Sequence, residues 1–171
     1  MSRLYSSIVV AAVALVGCGG GPPPVTSGDA STGPDMSREA DLSATGGQLC
    51  VDPRADTWAL PITKSSMNGS FKVSLTSADF SPPIIGVNTW QMTVADASDA
   101  PVTGAITTIK PWMPDMGHGT SVVPSATDGS TAGSYAVTPL YFFMAGFWAT
   151  TFSLTSGATT DTVVYSVCLA D

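Results

Sequence analysis

Asn68-Gly69-Ser70-Phe71-Lys72-Val73-Ser74-Leu75-Thr76 is the stretch on which the fold class turns. Phe71, Val73 and Leu75 alternate with Lys72, Ser74 and Thr76, and a period of two puts the apolar set on one face of a strand. Asn68-Gly69 supplies the residues that accept positive φ in a tight hairpin turn. The same alternation returns in Trp90, Met92 and Val94, entered through Gly86-Val87-Asn88, which assigns Met92 to the core. Upstream, Trp58-Ala59-Leu60-Pro61-Ile62 reads as a first short strand, with Pro61 placing it at a sheet edge. Downstream, Asp96 to Pro101 makes a turn and Val102 to Ile109 a Thr-rich strand that Pro111 ends. Asp128-Gly129 and Gly133 mark turns before Tyr135-Ala136-Val137, and strands follow at Trp148 to Leu154 and Val163 to Leu169. About seven short strands separated by turn signals predict an all-β chain, an immunoglobulin-like β-sandwich. Gly133-Ser134-Tyr135 ahead of a late strand is similar to a tyrosine corner.

The N-terminal part is of another kind. Met1-Ser2-Arg3 precedes an apolar run from Leu4 to Val16, the pattern of a signal peptide and short for a membrane span. The run ends in Leu15-Val16-Gly17-Cys18, which resembles a bacterial lipobox, so Cys18 is the expected lipidation site. The plainer alternative is a secretory signal with a chance cysteine. From Gly19 to Gly47 the chain is Gly, Pro, Ser, Thr, Asp and Ala with almost no aromatics, too little apolar surface to offset ordering entropy. The expected organisation is a lipoprotein signal peptide over 1–17, lipidated Cys18 and a flexible linker over 18–48, and a folded domain over 49–171. Such a chain is exported and lipid-anchored to the bacterial cell envelope, facing the periplasm or on the outer membrane, with the bilayer as its first partner.

Of the 171 residues only 11% are charged, and the formal net charge is -7. Basic residues are few and scattered, so no cationic face exists for nucleic acid. Beyond Cys18 two cysteines remain, Cys50 and Cys168, at opposite ends of the domain. In an oxidising compartment an even pair reads as a disulfide; the rival reading makes the thiols metal ligands.

The chemically richest segment is Trp112-Met113-Pro114-Asp115-Met116-Gly117-His118-Gly119, echoed by Phe143-Met144-Ala145-Gly146-Phe147-Trp148. It holds the single histidine of the chain, in a stretch whose Pro and Gly content predicts a loop. Thioether sulfur with one imidazole suits a soft ion, Cu(I) or Ag(I), and not Zn(II), Ca(II) or Mg(II). Met113, Met116, His118 and Met144 are therefore the candidate ligands, and Cu(I) the candidate cofactor; the alternative is no cofactor. In that alternative the methionines fill an irregular core, and Trp112 with Tyr141-Phe142-Phe143 forms a hydrophobic contact patch of a metal-free interaction or structural module. Catalysis is not expected, since no Gly-x-Ser-x-Gly elbow accompanies His118 and acidic residues such as Asp79, Asp96, Asp128 and Asp161 read as lone turn residues.

Asn88-Thr89-Trp90, Pro101-Val102-Thr103-Gly104-Ala105, Met113-Pro114-Asp115-Met116-Gly117-His118-Gly119, Gly133-Ser134-Tyr135 and Met144-Ala145-Gly146-Phe147-Trp148 follow in an order that resembles the YtkA-like domain family. The likeness spans Phe71 to Leu154. It departs at Asp99-Ala100-Pro101, where Asp-Gly or Asn-Gly is expected. The resemblance implies a small exported β-sandwich module, alone or associated with heavy-metal efflux adaptors, and a metal-efflux or envelope protein as partner.

Overall fold

The computed structural model describes residues 46–171. The signal peptide, the lipobox with Cys18 and the linker up to residue 45 lie outside the described residues. Nine strands are found among those described: β1 (Ile62–Ser65), β2 (Phe71–Ala78), β3 (Gly86–Asp96), β4 (Ile106–Met113), β5 (His118–Gly119), β6 (Ser125–Asp128), β7 (Ser134–Phe142), β8 (Gly146–Ser156) and β9 (Thr159–Leu169). They form a five-stranded sheet, β1-β2-β3-β7-β6, and a four-stranded sheet, β5-β4-β8-β9, with every pairing antiparallel. This is an all-β, immunoglobulin-like sandwich.

The alternating residues do what their period demands. Phe71, Val73 and Leu75 of β2 and Trp90, Met92 and Val94 of β3 are at most 2% exposed. Trp90 is the hub, with Trp58, Phe142, Phe152 and Tyr165 all packed around its ring at 5.5–6.3 Å. Gly69, at φ 75°, turns β1 into β2.

Several expected boundaries move. β1 starts only at Ile62; Trp58 is drawn instead onto Trp90 and donates its Nε1–H to Ser81 Oγ at 3.1 Å. The strand expected over Val102–Ile109 is divided. The Val102 amide bonds Val94 O at the end of β3, and the chain then turns at Gly104 (φ 68°) and crosses to the other sheet as β4. Asp99 takes the left-handed conformation itself, at φ 62°, which a short polar side chain tolerates; that is how the turn manages without glycine. Tyr135 ties this crossover to β7, its hydroxyl donating to Val102 O and accepting from the Ala105 amide.

Prolines do not end the strands in which they stand. β4 runs through Pro111 to Met113, and β7 through Pro139 to Phe142. Pro111 pairs with Thr150 on one side only, because β5 stops at Gly119, opposite Trp112. Pro139 lies past the end of β6, where the β3 register shifts. A residue without an N–H is tolerated where no ladder bond is asked of it.

β9, an edge strand of eleven residues, is sealed by the segment that precedes β1, by Lys64 of β1 and by Met67 of the β1–β2 turn. Its alternate carbonyls at Thr162, Val164, Ser166 and Cys168 accept from Met67 N, Lys64 Nζ, Asp56 N and Cys50 N. Covering an edge in this way removes a template for aggregation. The disulfide Cys50–Cys168 joins the same segment to β9, with Cα atoms 5.1 Å apart. The linker's last residues take part too, Gly47 N bonding Pro82 O and Gln48 O accepting from Ala170 N, both at 2.9 Å.

Candidate metal centre

Because β4 extends to Met113 and β5 starts at His118, the expected loop contracts to a turn over Pro114, Asp115, Met116 and Gly117. Met113 O accepts from the amides of Met116 (3.2 Å) and Gly117 (2.9 Å), and Gly117 supplies φ 69°. Met113 and His118 are therefore direct register partners. Opposed residues of an antiparallel pair share one face of the sheet, with Cβ atoms about 4.5–5.5 Å apart.

Met113 is 2% exposed and belongs to the core. Its methyl lies 2.7 Å from where a Cβ on Gly146 would stand, a contact the flexible Met113 end could relieve, and it is the φ of 122° that favours glycine there. The His118 ring, half-buried, stacks on Phe143 with centroids 5.5 Å apart and planes inclined by 28°. Met144 follows Phe143 in the β7–β8 connection, packs partly buried against the core, and accepts from Trp148 Nε1 at 3.0 Å. Met113, His118 and Met144 thus gather at one end of the sandwich. Met116 stands apart on the turn, 56% exposed. Of the expected aromatic patch, Phe142 is fully buried under Trp90 and Trp148, Trp112 and Tyr141 are half-buried, and Phe143 is exposed.

One partner of the turn has no local signal in the sequence. Arg54, 61 residues away, grips both oxygens of Asp115 at 2.7 and 2.6 Å and both oxygens of Asp52 at 3.0 and 2.7 Å. Its guanidinium lies 4.1 Å over the Phe147 ring. The Arg54 hydrogen bonds hold the Asp115 and Asp52 carboxyls below their ordinary range.

A groove of about 430 Å³ runs beside β4, lined by residues 109–112 and 119–124. None of Met113, Met116, His118 or Met144 lines that groove; they stand at the rim formed by the β4–β5 turn and the β7–β8 connection. Among the described residues no three His, Cys, Asp or Glu side chains come together as a metal-holding group; any cation bound at this rim would rely on thioether ligands.

The family model for YtkA-like domains matches residues 66–153. The chain belongs to the YtkA-like family. No curated protein and no solved structure matches it. The matched span takes in β2 to β7 and most of β8, with Met113, Met116, His118 and Met144 inside it. In this YtkA-like chain the disulfide, Arg54, β1 and β9 fall outside the span, so the segment that grips Asp115 lies beyond the matched residues.

Proposed function

We propose that this YtkA-like chain is an exported, lipid-anchored envelope protein whose sandwich binds a soft metal ion, Cu(I) first, in copper or heavy-metal handling. The observation that supports this is the direct pairing of Met113 with His118 across β4 and β5, with Met144 beside Phe143 under the imidazole. Met116 lies on the intervening turn and has three rotatable side-chain bonds with which to close over the ion. Soft sulfur and one imidazole select for Cu(I) over harder ions. The partner would be a metal-efflux or envelope protein, and no catalytic step belongs to the proposal.

Competition with an optical Cu(I) chelator tests it. Loss of one supporting partner typically costs about 10–100-fold in metal affinity, so Met113→Leu/Met116→Leu/Met144→Leu should lose more than that while keeping the fold. Equal affinity in wild type and the triple variant removes the site. The second reading, a metal-free tethered interaction module, would then lead; it draws on the exposed Phe143 (39%), Val87 (50%) and Met116 at the same end.

The anchor has its own test. Intact mass of the mature protein should show an acylated chain beginning at Cys18, and Cys18→Ser should remain unprocessed or become soluble. A mature wild-type protein without acyl mass defeats the lipoprotein reading.

A further inference from the structure

Segment 50–56 is a strap stitched to β9 on both sides of Arg54. Cys50 is held by the disulfide and by its amide on Cys168 O at 3.0 Å. Arg54 O accepts from Ser166 Oγ at 2.9 Å, while Asp56 exchanges two bonds with the Ser166 backbone, at 3.1 and 2.8 Å. The Arg54 backbone is therefore fixed, and its side chain reaches from the strap across Phe147 of β8 to the turn after β4. Among the described residues, its two bonds to Asp115 are the side-chain hydrogen bonds that reach the Pro114-Asp115-Met116-Gly117 turn.

Such a pair does little for overall stability. The Arg54 and Asp115 side chains are 47% and 53% exposed, and exposed ion pairs contribute little. What the planar fork does supply is geometry. Two parallel bonds to one carboxylate, with the guanidinium laid on an aromatic face, fix the carboxylate's position and orientation in a way that a single point charge does not. Asp115 stands between Met113 and Met116, so fixing it fixes the turn that carries Met116 and leads into His118.

Resting on the metal reading above, we infer that Arg54 is the positioning residue of the candidate site, touching no metal itself but holding the Met116–His118 turn in one binding-ready geometry. The strap lies outside the residues shared with the family model, so this is a control that the flank of this chain adds to the domain.

The test measures Cu(I) affinity and melting temperature of the full chain for wild type, Arg54→Gln, Arg54→Lys and the swap Arg54→Asp/Asp115→Arg. Arg54→Gln should lose about tenfold or more in affinity, the range seen for supporting partners of metal ligands, with a melting temperature close to wild type. Arg54→Lys should recover part of the loss, as a charge without a fork, and the swap should recover part by remaking the pair. A wild-type chain that binds no Cu(I) overturns the metal reading and takes this inference with it. Wild-type affinity retained in Arg54→Gln overturns the inference alone. So does an affinity loss that follows a fall in melting temperature and that neither Lys nor the swap relieves, because the role would then be merely structural.

Discussion

Cys50→Ser/Cys168→Ser should unfold at a clearly lower denaturant concentration than wild type, with a loss of about 2–5 kcal/mol, the usual range for a native disulfide in a small secreted domain. The two cysteines are 118 residues apart in sequence, so the bond closes nearly the whole domain into one loop. In the chain-entropy model, a loop of that order restricts the unfolded chain by about 4–5 kcal/mol. The loss in the folded state is also local. Without the bond, the strap over β9 relies on the Cys50, Arg54 and Asp56 backbone contacts. Fraying of the strap would uncover the Ser166 and Cys168 carbonyls, and the variant should aggregate more readily. An unchanged midpoint in urea would show that the backbone contacts suffice and that the bridge is not structural.

Acid should unfold the wild type over a window set in part by Asp161, and Asp161→Asn should flatten that dependence. Asp161 is 6% exposed. It accepts from Ser66 Oγ (2.6 Å), Thr162 N (2.8 Å), and the amides of Asn68 and Ser70, binding the β1–β2 hairpin to β9. Burial alone would raise its pKa. The hydrogen bonds from the Ser66 hydroxyl and from the Thr162, Ser70 and Asn68 amides overturn that and bring it down to about 2. In the unfolded chain the carboxyl has the ordinary aspartate value, near 3.8. With the folded pKa the lower of the two, the contribution is whole and constant above about pH 4. It falls as the unfolded state takes up the proton and is gone once pH passes about 2. In Asp161→Asn one set of donors loses its acceptor, so stability at neutral pH should drop and the slope between about pH 4 and pH 2 should shrink. Equal slopes in the two proteins over that interval would mean that other carboxyls govern the acid limb.

Asp161 also marks where reading the chain locally stops working. Asp96 is a turn acceptor, as its neighbourhood suggests, bonding the Ser98 and Ala100 amides, and Asp79 accepts from the next amide, at Phe80, while Asp128 already reaches further, to the Gly104 amide 24 residues away. Asp161 sits in an equally polar run, Thr159-Thr160-Asp161-Thr162, yet is buried because the β1–β2 turn, about ninety residues earlier, folds onto it. Arg54 and Asp115 repeat the lesson at the candidate site. Each is an ordinary exposed charge until the strap and the turn meet over Phe147.

The sequence by itself determined the all-β class, the inward faces of β2 and β3, the hairpin at Asn68-Gly69 and the resemblance to the YtkA-like family, and it favoured the pairing of the two domain cysteines over the rival ligand reading. These rest on period, on φ preference and on residue type, which act within a few neighbours or are carried by a motif. Only the tertiary structure decided that Pro111 and Pro139 stay inside strands, that β5 exists, that Met113 is buried while Met116 is not, and that His118 lies on Phe143. A proline is tolerated or excluded according to whether a strand stands beside its missing N–H. A two-residue strand has no period of its own and forms because Met113 offers a partner to His118. Burial at the rim depends on which strand end comes opposite, and that is fixed by the pairing of residues far apart in the chain.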